Sequence, residues 1–144
     1  VIRDEVSADR RRLVLGEACD QCRSIAFGAP DMLVIDCDSD QAFDTVVRTL
    51  AWGRKMLGVL DAWYTHSATY GHKHVFVKLS HELSQRERAL MQGALGGDPK
   101  RAVLDWRWAE QGGKGEPFLI EVNRKTHEID LTSYDDPKYG GAPV

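Results

Sequence analysis

Cysteine is scarce in this sequence, with three in 144 residues. An odd count at that density argues against a disulfide framework and for a reducing compartment. No apolar run approaches the length that spans a bilayer and no signal-peptide pattern is present, so no membrane partner and a cytoplasmic location are expected. Excess positive charge is also missing: 19 Lys and Arg stand against 22 Asp and Glu, a net charge of −3. No global field draws in nucleic acid, and such a partner needs a local basic patch. Internal repeats, low-complexity tracts and composition shifts are absent. One domain over residues 1–144 is therefore expected, with an irregular tail from residue 133. Because the chain opens on Val1, a fragment of a longer protein is expected.

What is present is a short stretch with unusual chemistry. Met32-Leu33-Val34-Ile35-Asp36-Cys37-Asp38 is an apolar, β-favouring run that ends in two carboxylates spaced i, i+2. On a strand such residues point the same way, and two carboxylates so placed can share a hard divalent cation such as magnesium. A plainer reading has Asp36 turning the chain and Asp38 capping the next helix.

Around this stretch the patterning predicts the following elements. Leu13, Val14, Ala18, Cys22 and Ile25 recur at helical spacing and predict a helix from Ser7 to about Ser24. Gly28-Ala29-Pro30-Asp31 breaks it. After the aspartates, Ser39 and Asp40 start an amphipathic helix through Val46, Val47 and Leu50 to about Leu57, stopped by Gly58. Val59–Thr65 and Lys73–Leu79 read as strands. In the latter, Val75, Val77 and Leu79 share one face, and His74, Phe76 and Lys78 the other. Ser84-Gln85-Arg86-Glu87 is a capping box opening a helix that Gly96-Gly97 stops. Asp98-Pro99 starts another, to about Ala109. Gly112–Pro117 is a loop, Phe118–Val122 a strand, and residues 126–131 are expected to pair with it.

Strand, helix, strand, strand, helix, strand is the split βαβ order of an α+β, ferredoxin-like or palm fold. It predicts an antiparallel-rich sheet with the Asp36 strand central, helices on one face and the other face open to carry a site. The strands bearing Asp36, His74 and Glu121 would then lie side by side. Glu121 sits within Phe118-Leu119-Ile120-Glu121-Val122, where an ionised carboxylate is costly unless paired or bound to metal. It is a candidate third acid, unless an edge strand turns it to water. Asp105 is its rival, although on a helix it could pair with Arg101 one turn away. His72-Lys73-His74 places two imidazoles on one face, suited to a nucleotide phosphate or to a metal.

Asp36-Cys37-Asp38 after an apolar strand resembles the first motif of the archaeo-eukaryotic primase (primase-polymerase) superfamily. Thr65 to Val77, in which a small-residue turn leads to His74 opening a strand, resembles its second motif. The resemblance covers about residues 31–125 and implies a reduced or divergent catalytic domain. It implies metal-dependent nucleotidyl transfer, DNA primase or polymerase-like, by phosphoryl transfer with two magnesium or manganese ions. Asp36 and Asp38, with Glu121 or Asp105 for the third motif, would hold them. His74, with His72 beside it, would contact the phosphates of the incoming nucleotide, and Arg124 and Lys125 would lie near the triphosphate. The implied partners are a nucleoside triphosphate, single-stranded DNA or a primer-template, and a fused or associated helicase, in a cytoplasmic, virus- or plasmid-encoded setting.

Two other functions compete. In an HUH-type DNA-nicking replication initiator, His72 and His74 would bind one metal and Tyr134 would attack the DNA phosphate. Against it, the residue between the histidines is lysine rather than bulky and apolar, and Pro137 opposes a helix around Tyr134. In a non-catalytic nucleic-acid- or protein-binding module, Trp106, Trp108 and Phe76 with Arg101, Arg107, Arg124 and Lys125 would form a stacking and phosphate surface. The lone Cys19-Asp20-Gln21-Cys22 pair lacks a second pair for zinc and fits ordinary packing better. The glycine loop around Lys114 lacks the phosphate-loop consensus.

Overall fold

A computed structural model of the chain describes residues 24–67, 69–112, 118–121 and 126–135, with backbone alone for 24–27 and 118–121. The elements are β1 (Ser24–Phe27), β2 (Met32–Cys37), α1 (Asp40–Leu57), β3 (Val59–His66), β4 (Lys73–Leu79), α2 (Gln85–Ala94), α3 (Pro99–Glu110), β5 (Phe118–Glu121), β6 (His127–Glu128) and a 3-10 turn at Leu131–Asp135. Local chemistry sets the helix boundaries. Ser39 Oγ accepts the Ala42 N–H at 3.0 Å and starts α1, and Gly58, in the left-handed region at φ 68°, ends it. Ser84 and Glu87 cap α2 reciprocally, each bond 3.1 Å. Asp98 accepts the Lys100 N–H at 3.0 Å ahead of Pro99, the first residue of α3.

The fold is α+β, with an open antiparallel sheet of four strands in the order β2-β4-β3-β6. β4 inserts between β2 and β3, which run parallel to each other and are joined across it by α1. The period of two divides the sheet's faces. Leu33, Ile35 and Cys37 of β2, Val75, Val77 and Leu79 of β4, and Ala62 of β3 meet Val46, Val47, Leu50 and Ala51 of α1 in the main core. Met32, Val34 and Asp36, with His74, Phe76 and Lys78, face the other way. No helix among the described residues is long and apolar enough to cross a membrane.

Several expectations are corrected. The Asp36 strand is not central but outermost in its sheet. The strand bearing Glu121 does not join that sheet: β5 pairs with β1, placing Glu121 opposite Ser24 in a separate two-stranded ribbon. Ser24 therefore belongs to a strand rather than to a helix end. Its run Ser24-Ile25-Ala26-Phe27 offers β5 a complete antiparallel register, while the free edge of β2 is met by the Asp98 N–H, which donates to the Asp36 carbonyl at 2.8 Å. Within residues 126–131, His127 and Glu128 pair with β3 and not with β5.

The helices do not all lie on one face. α1 covers one side, whereas α2 and α3 wall a cleft against Met32 and Val34 on the other. The stretch 133–135, expected to be irregular, belongs to the 3-10 turn that buries Leu131. The predicted helix over residues 7–23, the Cys19–Cys22 pair, Lys114, Arg124, Lys125 and residues 136–144 lie outside the described residues.

Candidate functional site

The site begins with a row across three strands. Asp36 of β2 stands opposite His74 of β4, and His74 opposite Thr65 of β3. Alternation puts Asp36 and His74 on the face away from α1, since Ile35 and Val75 supply the core face. His74 is 2% exposed and Asp36 is half-buried. His74 Nε2 lies 3.6 Å from Asp36 Oδ1, too far for a hydrogen bond.

That approach is not an ion pair at neutral pH. Burial, with Arg101 and His72 adding like-charge repulsion, pushes His74 down to about 4, so the imidazole is neutral. Burial also raises the Asp36 carboxyl above its ordinary range, with Asp98 and Asp38 adding repulsion while Arg101 and His72 oppose the rise. The same environment pushes the Cys37 thiol up to about 12, burial first and Asp36 next. This thiol is not a nucleophile.

Asp36 Oδ1 and His74 Nδ1 are buried and have no hydrogen-bond partner among the described residues. Native structures rarely leave such atoms without water, ion or ligand. Asp38, one residue past β2, is exposed, and it is Ser39, not Asp38, that caps α1. The capping explanation for Asp38 is thereby removed. His72 is half-buried at the mouth of β4, and its charge reaches both Asp36 and His74.

The contest over the third acid resolves geometrically in part. Asp105 Oδ2 accepts Gln92 Nε2 at 2.8 Å and Arg101 Nε at 3.2 Å, so the expected one-turn pair with Arg101 is formed. Asp105, Arg101, Gln92, Arg88 and Trp108 line the cleft beside Met32 and Val34. Its free volume is about 30 Å³, room for a water but not a base. Glu121 has left the sheet, and its side chain lies outside the described residues, as do Arg124 and Lys125. Among the described residues no three His, Cys, Asp or Glu side chains converge as a ligand set. Two carboxylates suffice for a magnesium-like ion, which takes its remaining ligands from water and phosphate.

Sequence reasoning did not place Gln92 here, and it named Arg101 only as the one-turn partner of Asp105 and as part of an alternative phosphate surface. Their signal was the spacing of polar residues on two neighbouring helices: Arg88 and Gln92, then Arg101 and Asp105, each four apart. Arg88 and Gln92 are buried.

The rival constellations are dispersed. Tyr134 packs against the core on the α1 side, 6.0 Å from the Arg48 guanidinium, with the sheet between it and His74. Trp108 lines the cleft, Trp106 lines a different groove with Leu90 and Gly93, and Phe76 is buried against Trp63 at 5.8 Å. Trp106 and Trp108 therefore line different grooves. No family model matches the chain, and neither the curated proteins nor the solved structures contain a match.

Proposed function

We propose that this chain performs metal-dependent nucleotidyl transfer of the primase-polymerase kind on a ferredoxin-like, palm core. One observation carries the reading. A half-buried carboxylate and a buried neutral imidazole face each other across β2 and β4, each with a buried polar atom lacking a partner among the described residues, and a second carboxylate follows two residues on. The insertion of β4 between β2 and β3 supports the palm assignment, because it is the split βαβ arrangement.

In this reading Asp36 and Asp38 hold magnesium or manganese. The bound cation would supply charge neutralisation at the phosphates and activation of a 3′-hydroxyl. His74, neutral at working pH, donates a ring N–H to a phosphate oxygen without carrying a buried charge. Asp36, with its carboxyl raised by burial, gains from a cation that restores the stability of its ionised form. Asp105 orients neighbouring groups rather than completing the metal shell. Glu121 acts only if the β1–β5 ribbon brings it to the sheet.

Labelled nucleotide incorporation on primed and unprimed single-stranded templates is the test. Incorporation should require Mg²⁺ or Mn²⁺ and fall to background in a double variant carrying Asp36→Ala and Asp38→Ala. Activity that persists in that variant would remove the reading.

A further inference from the structure

The opposite face of the sheet carries a second pair of histidines. In the β3–β6 pairing Tyr64 stands opposite His127, and His66 follows Tyr64 by two residues. Alternation puts Tyr64 and His66 on one face of β3, the first opposite His127 and the second diagonal to it. This is the α1 face, since Phe43 of α1 meets the Tyr64 ring at 4.9 Å. Thr65, between the two, stands opposite His74 and shares its face. The sheet therefore separates His66 and His127 from Asp36 and His74.

The His66 and His127 rings are 5.5 Å apart, centre to centre, and inclined at 81°. A zinc–nitrogen bond of about 2.0–2.1 Å puts each ring centre about 3.2 Å from the ion, and a tetrahedral angle then sets two such centres about 5.2 Å apart. The observed spacing is close to that value. His127 is half-buried, and Tyr64 stacks on it at 4.7 Å and 18°, so its ring is held. His66 is exposed, and its ring can turn about χ2 to present a nitrogen. Among the described residues no protein hydrogen bond competes for the ring nitrogens of either. Lys73 pairs with His66 across β3 and β4, but its ammonium is turned to Asp40, 3.0 Å away, and lies 4.6 Å from the Phe43 ring centre. Its charge is thus matched by a carboxylate.

Imidazole suits zinc, copper and nickel ions, whereas magnesium prefers oxygen donors. Two imidazoles leave two positions of a tetrahedral shell for water. The consequence for the fold is local. β6 is two residues long and two register pairs hold it to β3, so an ion bridging His66 and His127 adds a cross-link where pairing is shortest.

We propose that His66 and His127 form a two-imidazole site for a transition-metal ion of the zinc class, and that the bound ion clamps β6 to β3. The proposal does not depend on the nucleotidyl-transfer reading, whose residues are on the other face.

The test is carbethoxylation of histidines in the tag-free full chain, mapped by peptide mass spectrometry over a Zn²⁺ titration. His66 and His127 should be protected together by Zn²⁺ and not by Mg²⁺. In His66→Gln the Zn²⁺ concentration that half-protects His127 should rise about a hundredfold, the scale of losing one arm of a two-point attachment. His127→Gln should do the same to His66, and it serves should the first variant not fold. Asp36→Ala should leave the protection unchanged. Amide exchange at His127 and Glu128 should slow at saturating Zn²⁺ in the wild type and not in His66→Gln. Modification of either histidine indifferent to Zn²⁺, or protection of one that survives loss of the other, would overturn the site. Protection lost in Asp36→Ala would overturn it too, by placing the ion on the opposite face. Protection with unchanged amide exchange would overturn the clamp.

Discussion

His74 and Asp36 are shifted in opposite senses by the same burial. His74 titrates at about 4 in the folded chain instead of 6.5. Between those values the unfolded chain binds the proton and the folded chain does not, so stability is present above pH 6.5 and is lost as pH falls towards 4. The shift corresponds to about 3 kcal/mol. Urea unfolding of wild type and His74→Gln at pH 7, 5.5 and 4.5 should show the wild type losing stability more steeply on acidification. Asp36 runs the other way. Its carboxyl is raised above 3.8, so its contribution is favourable at low pH and is lost as pH rises through the folded value. It is present in both proteins, so the difference in slope reports His74. Neither shift could be read from the sequence. Asp36 and His74 are separated by a helix and a strand, and carry no mark of their desolvation until the register sets one against the other.

At the scale of elements, the helices and most strands were legible because their signals are local. Ser39 and Gly58 bound α1, the Ser84–Glu87 box opens α2, and Asp98-Pro99 opens α3, each through bonds spanning a few residues. The partners of β5 and β6 were not legible. Phe118–Glu121 has the composition of a strand for any apolar neighbour, and the choice of β1 over β2 is a matter of which edge is open. Gly97 shows how tightly the β2 edge is closed. A Cβ there would come within 2.6 Å of Ile35 Cγ2 and 2.8 Å of the Gln92 carbonyl oxygen. Gly97→Ala should therefore push α3 off β2, destabilise the protein by roughly 1–3 kcal/mol and weaken Mn²⁺ and triphosphate binding together. Thermal unfolding, with titrations of Mn²⁺ and of inorganic triphosphate, checks this.

For the whole molecule, a site assembled around a half-buried carboxylate whose Oδ1 has no hydrogen-bond partner among the described residues is a local defect in stability that a ligand can repair. Since the carboxyl of Asp36 is raised, its ionised form detracts from stability at pH 7. Asp36→Asn should melt above the wild type in the absence of metal. Mn²⁺ at about 100 times its Kd should stabilise the wild type by about 2.7 kcal/mol and leave Asp36→Asn unmoved. Calorimetric melting with and without Mn²⁺ measures both effects.

By itself the sequence determined the α+β class, the capped helices, the alternation that buries Val75, Val77 and Leu79, and the placing of Asp36 and Asp38 at a strand end. All of these follow from periodicity and from bonds between near neighbours. Only the tertiary structure decided that Asp36 meets His74, that its strand is outermost, that Glu121 pairs elsewhere, and that Arg101 and Asp105 line a cleft beside β2. Those outcomes depend on which strand edge is open and on how two helices pack over it. Such choices are made between segments far apart in the chain, where no local pattern records the winner.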